Sequence, residues 1–100
     1  MLRGDTVHQR EQARFELALR GDPNTAVKLA MLNWAVQKEP ADLRILVETA
    51  AASGDAASAR TALDWIDKTG IEDRTIAATV ARLRATKGST YQRIDMKVAR

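Results

Sequence analysis

The residues of this chain that could do chemistry are few and far apart. His8 is the only histidine, and no serine or carboxylate is spaced to form a recognisable catalytic constellation with it. A solvent-facing position near a helix start is the simpler reading. There is no cysteine, which excludes disulfides and thiol catalysis, and one histidine cannot supply a usual zinc site. Asp64 and Asp67 stand three apart around Trp65-Ile66 and have the outline of a metal pair. Pairing of Asp64 with Lys68 on a wet helix face explains them more simply. No glycine-rich phosphate loop occurs, because Gly21 and Gly54 are isolated and read as helix stops. Neither a metal nor a cofactor is implied.

Residues suited to binding are easier to find. Arg10 and Arg14 lie one helical turn apart, as do Arg44 and Glu48. Each pair could be an ordinary solvated face or part of an interface. Arg82, Arg84, Lys87, Arg93, Lys97 and Arg100 gather toward the C-terminal end. They could attract an acidic partner or nucleic acid, but only Tyr91 is interleaved with them, which argues against single-strand stacking. The net charge of +3 is too small to indicate a nucleic-acid binder. Trp34 and Trp65 read as packing residues before ligand-stacking ones.

The elements that must position these residues are helices. The chain has the size of one domain, and its 45% apolar content is enough for a modest core. Alanine is plentiful and aromatics scarce, which favours closely packed helices. Thr6 with Gln9 has the form of a capping box and opens a helix over 7–20, stopped by Gly21. Residues 1–6 are then a lead, without the apolar core of a signal peptide. Asp22 and Pro23 open a second helix that runs to about Lys38. Val27, Ala30, Met31 and Trp34 form its buried stripe, widened by Leu29, Leu32 and Val36. Pro40 separates it from a third helix over 41–53, with Asp42 in its first turn. Leu43, Ile45, Leu46, Val47 and Ala50–Ala52 surround that helix, as in a buried central element. Gly54 and Asp55 open a fourth helix over 56–68. Glu72 and Asp73 precede a fifth over 74–86, which Lys87-Gly88 ends. The basic tail, 87–100, is compatible with a docked helix or with an extended or mobile segment. No stretch of about 18 apolar residues is present, so no membrane span is expected.

Gly21-Asp22 and Gly54-Asp55 recur 33 residues apart, each with an alanine four residues beyond the aspartate (Ala26 and Ala59) and a helical run after it. A period of this length is the signature of a repeat architecture. With Ala35 and Pro40, these residues resemble a degenerate tetratricopeptide repeat over roughly residues 7–86. The segment Asn33–Pro40 also resembles the C-terminal part of uncharacterised bacterial proteins of that kind. The pattern departs from the family in a longer second helix, a shorter Pro40–Gly54 segment and the missing aromatic early in each first helix.

The resemblance implies an all-α, right-handed superhelix of two hairpins plus a closing helix, part of a larger array. It implies a non-enzymatic scaffold that takes a peptide or partner helix in a concave groove, or associates with itself through an exposed end. Counting back from the two glycines in the family pattern, Arg44 and Glu48 fall on the groove face of the third helix, and Glu11 and Phe15 on that of the first. Arg14 falls at a packing position in the same count and stays a candidate because a small rotation of the first helix brings it to the groove. Phe15 is therefore either an anchor rimmed by charge or a core residue.

Overall fold

A computed structural model describes the backbone of residues 2–85 and the side chains of residues 9–85. The described chain is all-helical, with no strand among the described residues. Four helices, α1 (Leu2–Ala18), α2 (Pro23–Val36), α3 (Pro40–Ser53) and α4 (Ala56–Thr69), are followed by a fifth, α5, over 77–85. The start of α1 at Leu2 takes in residues expected to form a lead, so Thr6 lies inside the helix and does not open it.

Helix ends follow local chemistry. Gly21 and Gly54 adopt φ of 63° and 73°, the left-handed conformation that glycine reaches without strain. Each is followed by an aspartate whose carboxylate accepts a backbone N–H three residues on. Asp22 accepts from Thr25 at 3.1 Å and Asp55 from Ser58 at 2.8 Å. α2 stops at Val36, earlier than expected. Gln37 and Glu39 are extended ahead of Pro40, and the Lys38 ammonium donates back to the Trp34 carbonyl at 2.8 Å. α5 also begins late. Asp73 accepts from the backbone and hydroxyl of Thr75 at 2.9 and 2.6 Å, and residues 74–76 form a turn before the helix.

The core is centred on α3. Leu43, Ile45, Leu46, Val47 and Ala50 are all within 1% of complete burial. Ala13 of α1, Ala30 and Trp34 of α2, Ala62 and Leu63 of α4, then Ile76 and Leu83, close around them. Ala52 is exposed, so the apolar arc of α3 is narrower than its sequence suggests. Trp34 and Trp65 join α2 to α4 edge to face, with ring centres 5.4 Å apart at 86°. The two rings therefore pack against one another.

The stripe expected on α2 is corrected in one respect. Leu32 and Val36 are 55% and 64% exposed, while Asn33 is fully buried. The Asn33 amide donates to Asp42 at 2.7 Å, so the helix turns its Asn33 edge inward and carries Leu32 and Val36 outward.

Candidate functional site

Two carboxylates of α3 receive arginines from α1, and together they fix how those helices sit. Asp42 is fully buried. Its Oδ1 accepts from Arg10 Nη1 at 3.0 Å and from Asn33 Nδ2 at 2.7 Å, and its Oδ2 accepts from the Glu39 N–H at 2.9 Å. Three donors, from α1, α2 and the loop before α3, meet on one side chain. Burial raises the Asp42 carboxyl, but the bonds from Asn33, the Glu39 backbone and Arg10 outweigh it and hold it below its ordinary value. Farther along, Arg14 Nη1 lies 3.6 Å from Glu48 Oε1. The pairs advance in the same direction along both helices, so α1 and α3 run parallel, side by side.

The expected site residues separate into groups. Arg14 and Glu48 are brought together across α1 and α3. Glu11 and Phe15 stand one turn apart on α1, both exposed, and Phe15 keeps 41% of its surface in water. Phe15 is thus not a core residue. Leu19, a further turn on, is 76% exposed and lengthens the apolar strip. Arg44 is half-buried and turned elsewhere. Its charge acts on Asp73, beyond α4, and its Nε is buried without a hydrogen-bond partner. Of the five candidates, Arg14 and Glu48 are thus paired, Glu11 and Phe15 are exposed on α1, and Arg44 is directed toward Asp73.

Asp42, Asn33 and Arg10 form a cluster that spacing did not reveal. The only signal was an acidic residue in a helix first turn, where a solvent-facing role is ordinary. Asp64 makes no ion pair with Lys68 among the described residues; Asp67 instead receives Arg84 at 2.7 Å. Among the described residues no group of three or more His, Cys, Asp or Glu side chains could hold a metal ion. Of the basic cluster, Arg82 is exposed and Arg84 is paired, while Lys87, Arg93, Lys97 and Arg100 lie outside the described residues. The His8 side chain lies outside them as well. No described helix is long and apolar enough to cross a membrane.

Comparison with protein-family models, curated proteins and solved structures found no match to this chain.

Proposed function

We propose that this chain is a non-enzymatic protein-interaction module, a fragment of a tetratricopeptide-like helical array that takes a peptide or partner helix on the face built by α1 and α3. The observation that carries the reading is Phe15: a large aromatic left 41% exposed, one turn from Glu11 on the helix that also carries Arg14, whose partner Glu48 stands on the neighbouring helix. An aromatic anchor with a charged rim is the usual composition of an interface hot spot. The parallel placement of α1 and α3, with α2 packed against both, is the relation that stacked helical hairpins give to their first helices. For the nucleic-acid alternative the described residues offer only Arg82, which is exposed, and Arg84, which pairs with Asp67.

Affinity capture from a source lysate by the wild-type chain and by Phe15→Ala, run side by side, tests the reading. Phe15→Ala is expected to leave the melting temperature within a few degrees while losing a protein that the wild type retains. Arg14→Glu should lose the same protein. Capture of the same set by all three chains, or no enrichment by the wild type, would overturn the assignment.

A further inference from the structure

The strip of α2 turned away from the rest of the fold is apolar in its middle and charged at its ends. Ala26, Val27, Ala30, Asn33 and Trp34 are the buried residues of this helix. Leu32 and Val36, one turn apart, are left exposed, and so is the small Ala35 between them. Single exposed apolar residues are ordinary, but neighbours on one ridge of a helix form a continuous strip. Lys28 stands one turn before Leu32, exposed and in no ion pair among the described residues. Glu39 stands three residues beyond Val36, with its side chain 66% exposed.

The other described charges at the ends of the strip are engaged. Asp22, toward the Lys28 end, accepts from the Thr25 N–H and hydroxyl at 3.1 and 2.8 Å, and Lys28 acts on it only through space. At the other end Lys38 donates to the Trp34 carbonyl and lies 5.4 Å from the centre of the Trp34 ring. Arg10 comes within 4.0 Å of Glu39 but is held closer by Asp42, at 3.0 Å. Lys28 and Glu39 are therefore the charges this face offers to a partner. A face with opposite charges at its two ends is complementary to itself under a two-fold axis, the commonest symmetry of protein pairs. With the axis between Leu32 and Val36, and the two α2 helices antiparallel, Leu32 of each copy meets Val36 of the other. Lys28 of each copy then reaches Glu39 of the other. A parallel pair would set Lys28 against Lys28 and Glu39 against Glu39. We infer that the exposed face of α2 is the docking site of a second copy of this chain, in an antiparallel homodimer closed by Lys28–Glu39 pairs. One helix per copy covers less than the ~1,200 Å² usual for a stable complex, so the dimer is weak, with a Kd above about 1 μM. This goes beyond the proposed function, which uses α1 and α3, and does not depend on it.

Sedimentation velocity on the full chain across a concentration series tests the inference, with methyl and aromatic NMR signals followed over the same series. A reversible monomer–dimer equilibrium is expected, in which the Leu32 and Val36 methyl signals shift with concentration and the Phe15 ring signals do not. Leu32→Glu should raise the Kd at least about tenfold. Lys28→Glu, which sets like charges together, should raise it about fivefold, and adding the near-isosteric Glu39→Gln should recover most of that loss. Both α2 variants lie on an exposed face and should keep the melting temperature of the wild type within a few degrees. A monomer at every concentration up to about 1 mM would overturn the inference. So would a dimer indifferent to Leu32→Glu, shifts confined to Phe15 or Ile71, or growth past the dimer into open chains. A Lys28→Glu loss that Glu39→Gln does not relieve would overturn the antiparallel pairing.

Discussion

At the scale of single residues, Asp42 does the most to define this molecule. Asp42→Ala removes the acceptor for Arg10, Asn33 and the Glu39 N–H together. The expected loss is about 3 kcal/mol, the low end for breaking a buried ion pair, because Arg10 retains some contact with water. Chemical denaturation of the two proteins measures it directly. The pH dependence has a definite sign. Asp42 is more acidic folded than its ordinary value of 3.8, as are Asp22, through the Thr25 hydroxyl and N–H, and Asp55, through the Ser58 N–H. The stability these groups contribute is fully present above that value and disappears as pH falls through their lower folded values. Melting temperature should therefore hold through mildly acidic solution and fall below about pH 4, less steeply in Asp42→Ala. The cluster around Asp42 was not legible beforehand. Arg10 lies 32 positions from Asp42 and Asn33 lies 9, and only packing brings them to one carboxylate. The exposure of Leu32 and Val36 was hidden for the same reason, because apolar type outweighs asparagine in any reading by stripe.

At the scale of elements, the order and type of the helices were legible, because their boundaries depend on neighbours in the chain. Gly21, Gly54, Asp22 and Asp55 act over three or four residues, and their effects could be read directly. Errors arose where a boundary depends on a longer reach, as where Lys38 folds back on Trp34 or Asp73 spends a turn on Thr75. The central place of α3 follows from its dense apolar residues, Leu43, Ile45, Leu46, Val47 and Ala50, and can be measured. Leu46→Ala should lose roughly 2–5 kcal/mol, the range for emptying a buried aliphatic site. A domain of this size holds about 5–15 kcal/mol in all, so a large drop in melting temperature is expected. A change no greater than that of Glu11→Ala, on the exposed face of α1, would place the centre elsewhere. The candidate interface was only partly legible. The pattern assigned Glu48 and Phe15 to one surface but gave no partner for Arg14, since that partner stands on another helix.

At the scale of the whole molecule, helices adjacent in sequence are also packed on one another, from α1 on α2 through α3 on α4. A chain built from such short-range associations should reach its native state quickly, in the microsecond-to-millisecond range of helical domains. The two arginine links from α1 to α3, like the Trp34–Trp65 contact between α2 and α4, are exceptions, since they span 32 and 34 positions and join helices with another between them. They can close only after α2 has brought α1 and α3 together, so they belong to the last events of folding. Arg10→Ala should consequently leave the refolding rate nearly unchanged and put almost all of its destabilisation into faster unfolding, which stopped-flow measurements resolve. What the pair of arginines gives the molecule on this view is persistence: a latch set after assembly, which lengthens the time the native state survives without hastening its arrival.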